Sequence, residues 1–343
     1  MAAGALRTLW IAAAVAVIVG PGCRRGAPSS VALPPELPRL ALSPAQAAAV
    51  VRLALSRPDD DDPTRRTTIV LERGGDGWRL TAPLRARASA DKVAALLANL
   101  QQLQVSRRLD PGTGFYDRYG LSEGKALHVV AETAGPQRVA EFFAGQSSEQ
   151  GQLIRLPDAP GLFALVNEGP RGYQGFLYTR DPRGWREPTL WSFDEADVAA
   201  IEIANPHGRF NFTRRDGRWE ARRERPDGGS TLATWPRFDG HRVDELLHAY
   251  HALAADDFGG AHERAGAGVD GAETTGGVVR VHLRDTPKPL VLRVGRLAPP
   301  GSRFAIPGGR WAAVDGDADG LYVLSPWTAR WATADARMFE RAP

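Results

Sequence analysis

Cysteine, lysine and methionine are nearly absent from this 343-residue chain: it has one Cys, three Lys (Lys92, Lys125, Lys288) and two Met. A single cysteine rules out a disulfide framework within the chain and a cysteine-rich zinc site. No apolar run reaches the ~20 residues that a membrane-spanning helix needs. The longest candidate, Leu9 to Val19, has 11. There is no G-x-S-x-G nucleophile elbow and no P-loop, so no catalytic residue can be nominated. Positive charge is almost all arginine, and the arginines alternate with acids, for a net charge of only +3. A nucleic-acid surface needs a clustered basic face with stacking aromatics, so no nucleic-acid partner is expected. What remains is a globular balance of 43% hydrophobic and 24% charged residues, on a chain long enough for two sizeable cores.

The lone cysteine has an informative place. Arg7 precedes the apolar run, Gly20-Pro-Gly follows it, and Cys23 comes next. A charged start, a short apolar core and small residues before a Cys resemble a bacterial lipobox, in which cleavage precedes the Cys and its thiol carries a diacylglycerol. Gly20 stands where the usual Leu would be. On this reading residues 1–22 are a lipoprotein signal peptide. Residues 23–44, rich in Pro, Gly, Ala and Ser, are a flexible tether. The mature chain would then be held at a membrane surface through lipidated Cys23. Arg24 and Arg25, with no Asp after the Cys, favour the outer membrane, on its periplasmic face.

The body is organised around Ser89 to Gln104. Val93, Leu96, Leu97, Leu100 and Leu103 fall at spacings 0, 3, 4, 7 and 10, one stripe of an amphipathic helix. Ser89 is the expected N-cap, with Asp91 in the first turn. The stripe recurs as Val243, Leu246, Leu247, Tyr250 and Leu253, a shift of 150 residues. Ile201 and Ile203 repeat Val51 and Leu53 at the same shift. Phe210, Phe212 and Trp219 repeat Ile69, Leu71 and Trp78 at a shift of 141, and Gly295 repeats Gly145. Asp158-Ala-Pro-Gly-Leu-Phe-Ala-Leu165 matches Asp317-Ala-Asp-Gly-Leu-Tyr-Val-Leu324. Matches that keep order and spacing predict an internal repeat. The expected fold is therefore α+β, a tandem duplication of a mainly antiparallel sheet carrying one amphipathic helix. The first repeat spans 45–166 and the second 194–343. The connector, 167–193, is rich in aromatics and is expected to pack across both.

The hairpin with Trp78 leading to Pro83, the helix from Ser89, Tyr119-Gly-Leu121, the strand end at Gly145 and Trp185-Arg-Glu-Pro-Thr-Leu190 together resemble domain-of-unknown-function family 4340, uncharacterised bacterial envelope proteins. In the second repeat Tyr-Gly-Leu is aligned with Val269-Asp-Gly271. The resemblance implies an accessory role at the envelope, in some members beside an ABC-type transport system. It carries no catalytic residues.

Two clusters invite a metal reading. Asp315-Gly-Asp-Ala-Asp-Gly320 opens like an EF-hand calcium loop, with Asp315, Asp317 and Asp319 as weak candidate ligands. Its twelfth position is Pro326 rather than Glu, so a solvated hairpin turn is expected instead. His248 and His251 are three apart on the second helix and could share a metal, but His241 and His248 face water and no H-E-x-x-H exists. No metal and no cofactor is assigned. Trp185, Trp191, Trp327 and Trp331 are the candidate interface aromatics, between the repeats or with a partner. The expected function is a non-catalytic envelope lipoprotein that binds or scaffolds proteins, with a cell-wall glycan or peptide module as the alternative and a hydrolase behind both.

Overall fold

A computed structural model describes residues 37–59, 61–135, 137–167, 169, 172–226, 235–299, 307–318 and 320–341. Cys23, its leader and most of the tether lie outside them. The described chain is an α+β body dominated by two antiparallel sheets.

The first half starts inside the stretch read as tether: Leu40 and Leu42 are buried in the first core, and Leu42 N–H donates to the Leu100 carbonyl at 3.1 Å. Helix α1 (Pro44–Ala49) follows. Ser43 Oγ accepts from Gln46 N–H while Gln46 Oε1 accepts from Ser43 N–H, a reciprocal cap, and Pro44 opens the helix. Next come β1 (Val50–Pro58), β2 (Arg66–Gly74), β3 (Gly77–Ala82) and β4 (Ala86–Arg87). Helix α2 (Ala90–Gln102) separates them from β5 (Val105–Asp110), β6 (Leu127–Thr133), β7 (Arg138–Ser148), β8 (Gly151–Leu156) and β9 (Ala159–Leu165). The strand order is β4-β3-β2-β1-β6-β7-β8-β9-β5. Val93, Leu96 and Leu100 of α2 are fully buried in one core with Leu53, Leu55, Leu71, Val129 and Phe142. Each such side chain contributes roughly 1.5–3 kcal/mol of burial.

The connector carries α3 (Gly175–Tyr178) and β10 (Thr189–Ser192). It divides its aromatics: Tyr178 and Trp185 enter the first core, whereas Leu190 and Trp191 enter the second. The second half comprises β11 (Val198–Asn205), β12 (Gly208–Arg215), β13 (Arg218–Glu224), α4 (Gly240–Tyr250), β14 (Ala252–Ala254), β15 (Asp257–Phe258), α5 (Ala261–Ala267) and α6 (Ala272–Thr275). It ends with β16 (Gly277–Leu283), β17 (Leu290–Leu297), β18 (Arg310–Val314), β19 (Tyr322–Leu324) and α7 (Pro326–Ala329). Its sheet runs β13-β12-β11-β16-β17-β18-β19-β15, the order of the first sheet without β4, while β10 pairs separately with β14.

Strand pairing corrects two details of the sequence alignment. Leu53 and Leu55 lie opposite Leu71 and Ile69, as Ile201 and Ile203 lie opposite Phe212 and Phe210. Ile201 therefore answers to Leu53, a shift of 148, and the alignment of Val51 with Ile201 is two residues out. A two-residue slip keeps every side chain on the same face, so alternation cannot detect it. The same slip moves Tyr119-Gly-Leu121 onto Ala267-Gly-Val269 rather than Val269-Asp-Gly271. Gly120 and Gly268 both have positive φ, +69° and +72°. The carbonyl before each glycine, on Tyr119 and on Ala267, lies against Gly145 and Gly295 respectively.

The halves meet through polar groups of the connector and of β4. Arg186, 3% exposed, donates from Nη1 to the Gly259 carbonyl at 2.9 Å and sits 4.3 Å over the Phe258 ring. Arg183 lies 3.5 Å from Asp257, and Arg87 of β4 lies 3.5 Å from Asp317.

Candidate functional site

Helix α4 forms one wall of an open groove of about 840 Å³. Its sequence sets its orientation. Asp239 caps it by accepting from His241 N–H at 3.1 Å. Val243, Leu246, Leu247 and Tyr250 are buried, which turns His241, Asp244, Glu245 and His248 to the groove. The opposite wall is α7 and the turn after it. Ser325 caps α7 through Thr328 N–H, with Pro326 at its first position. The Tyr250 hydroxyl donates to the Thr328 carbonyl at 3.2 Å and fixes one wall to the other.

Trp327 stands on the α7 wall, 64% exposed. The Arg330 guanidinium lies 3.4 Å over its ring and 4.9 Å from the Trp331 ring. Such stacking presents a rigid surface that is both apolar and cationic. At the other end, a short 3-10 turn (Glu195–Asp197) is capped by Asp194. Arg214 Nη1 donates to the Glu195 carbonyl at 3.1 Å. The turn delivers Glu195 to the end of α4, where its Oε1 lies 3.1 Å from His248 Nδ1 and 3.4 Å from His251 Nδ1. The two imidazoles are stacked, 5.0 Å apart. Among the described residues, this is the one group of three that could hold a metal ion, its ligand atoms all within 4.8 Å of one another. Glu195 was missed in the sequence because it lies 53 residues before His248 and no local pattern announces the meeting.

The chain matches the family described as "Domain of unknown function (DUF4340)" over residues 78–272, more than half its length. The chain belongs to the DUF4340 family. No curated protein and no solved structure matches it. The DUF4340 match runs from β3 through the connector to the first residue of α6, and so includes both long helices. The motif residues within it are structural joints. The Trp78 carbonyl accepts from Ala88 N–H, and the Trp185 carbonyl accepts from Ser89 N–H, both at 2.9 Å. Gly145 lies under the Tyr119 carbonyl, and Arg186 spans to the second half.

The other sequence candidates separate in the structure. Trp185, Trp191 and Trp331 are buried, with Trp185 in the first core and the other two in the second. Trp327 alone of the four is exposed, and Trp331 lines the same groove from below. Asp315 pairs with Arg293 at 2.9 Å. Asp317 accepts from the Tyr322 hydroxyl and lies beside Arg87. Burial and the hydrogen bond to Asp317 push the Tyr322 phenol up to about 12. Both carboxylates are thus engaged by separate partners. Asp319, like Cys23, lies outside the described residues. His241 projects from α4 at 3.8 Å from Asp244, apart from the His248 cluster.

Proposed function

We propose that this DUF4340 protein is a non-catalytic, lipid-tethered scaffold of the bacterial envelope, built by tandem duplication, whose α4–α7 groove binds another envelope protein. The single observation that carries the reading is Trp327 with Arg330 stacked on it at the lip of an open groove. Tryptophan and arginine dominate binding hot spots because they bury large, ordered surfaces while keeping a polar handle. The matching order of the two sheets supports duplication. Placement at the periplasmic face of a membrane, with the outer membrane favoured, rests on the Cys23 leader in the sequence. An ABC-type transport system is the partner class implied by the resemblance. No helix among the described residues is long and apolar enough to cross a membrane, so attachment through the lipid on Cys23 is the route proposed.

A photo-crosslinker at position 327 in living cells is expected to trap one defined envelope protein. The same group at Leu297, 60% exposed on the second half, should not trap it. Recovery of only lipid and self-adducts from position 327 would reject the scaffold reading. A cell-wall glycan or peptide remains the second reading, because an exposed Trp ring also stacks on sugars. Peptidoglycan fragments that quench tryptophan fluorescence in the native chain but not in Trp327→Ala would favour it.

A further inference from the structure

We propose that Glu195, His248 and His251 form a binding site for a zinc-type divalent transition metal. The inference is independent of the scaffold reading. Imidazole nitrogen and carboxylate oxygen are the donor set that such ions take, and two His with one acid leave a coordination position open. The spacing fits. Metal–nitrogen and metal–oxygen bonds of about 2.0–2.2 Å arranged tetrahedrally place neighbouring donor atoms about 3.4 Å apart. Glu195 Oε1 is 3.1 Å from His248 Nδ1 and 3.4 Å from His251 Nδ1, close to that length. One ligand atom from each of the three residues lies within 4.8 Å of the other two.

The basic side chains around the cluster are held by other groups. Arg242, the nearest basic residue on the same helix, has its charge met by Glu245, at 3.0 Å from both carboxylate oxygens. Arg330 is held over the rings of Trp327 and Trp331 on the opposite wall. The backbone that carries Glu195 is held by the Asp194 cap and by Arg214. His251 Nδ1 lies 2.7 Å from the His248 carbonyl, to which a protonated Nδ1 donates. Coordination through this nitrogen requires the ring to turn off that carbonyl and to carry its proton on Nε2. His248 is 79% exposed, which leaves the open position to water or to a ligand atom from a bound partner.

The test is calorimetric titration of the full chain with Zn²⁺ at neutral pH, and with Co²⁺ followed by visible absorption. One site is expected, with the absorption of a four-coordinate ion. His248→Ala and His251→Ala are each expected to weaken binding at least a hundredfold, and Glu195→Gln about tenfold. His241→Ala, on the same helix outside the cluster, should leave it unchanged. Equal thermal melting of all variants without metal shows that the fold is intact. Absence of binding to the native chain, or binding that survives both His substitutions, overturns the proposal. An unchanged affinity in Glu195→Gln overturns the three-ligand site.

Discussion

Gly145 and Gly295 are where the two halves agree most closely, and there the backbone leaves no room for a side chain. A Cβ on Gly145 would lie 2.3 Å from the Tyr119 carbonyl oxygen, and one on Gly295 would lie 2.1 Å from that of Ala267. Because the neighbour is backbone, it cannot swing aside. Gly145→Ala and Gly295→Ala are each expected to lower stability by about 1–3 kcal/mol, the usual range for overpacking. Gly124→Ala, with open space around it, should change it by less than about 0.5 kcal/mol. Urea denaturation of the three variants checks this. A second residue-scale prediction concerns acid. Glu141 is half-buried, which raises its carboxyl, but Arg138 at 2.6 Å and His128 at 2.8 Å outweigh that and hold it below its ordinary 4.5. A carboxyl lower in the folded than the unfolded state stabilises above about 4.5 and loses that contribution as pH falls through its folded value. Glu141→Gln is therefore expected to cost about 1 kcal/mol at pH 7, and the gap to the native chain should close towards pH 3.

At the level of elements, the two long helices were legible in the sequence and their partners were not. Val93, Leu96 and Leu100 are buried on α2, and Val243, Leu246, Leu247 and Tyr250 on α4, because a 3.6-residue repeat is a local signal. Leu97 is only partly buried, Leu103 follows α2, and Leu253 falls in β14. Three things were not legible. The alternation along β1 could not separate Val51 from Leu53 as the counterpart of Ile201, since the pleat repeats every two residues. The docking of β5 and β15 at the far edge of each sheet depends on contacts distant in sequence, such as Val105 with Leu165 and Asp257 with Val323. The partners of the buried Asn99 on α2 are equally distant: it accepts from the Tyr178 hydroxyl at 2.8 Å and donates to the Gly172 carbonyl at 2.9 Å. The connector shows what tertiary context adds. Its composition predicted that it would pack against both halves, but not that one arginine would span them. Arg186→Met would leave the Gly259 carbonyl without the donor that now satisfies it. It is expected to cost about 2–3 kcal/mol, the range for a hydrogen bond to a charged group together with a stranded buried acceptor. In calorimetry the native chain should melt in one transition, and Arg186→Met should separate the melting of the two cores.

For the molecule as a whole, the proposed function places a rigid body with two cores on a lipid, and the arithmetic of anchoring makes that testable. One acyl chain gives marginal, reversible membrane binding, whereas two or more hold a protein firmly. A diacylglycerol thioether on Cys23 would meet that requirement without any membrane-spanning helix. Because Cys23 is the only cysteine in the chain, the chemistry has a clean readout. If the thiol carries diacylglycerol, the denatured protein from membranes cannot react with a maleimide. If the cysteine is bare, it reacts fully. Cys23→Ser blocks both cleavage and lipidation, so this variant is expected to keep its leader and run heavier than the mature native protein, by the mass of the leader less that of the lipid. Native protein that labels quantitatively with maleimide would disprove the lipid anchor while leaving both sheets and the groove between α4 and α7 as described. The groove would then have to find its partner by diffusion rather than at a membrane surface, and the crosslink from position 327 would become the sole remaining guide to it.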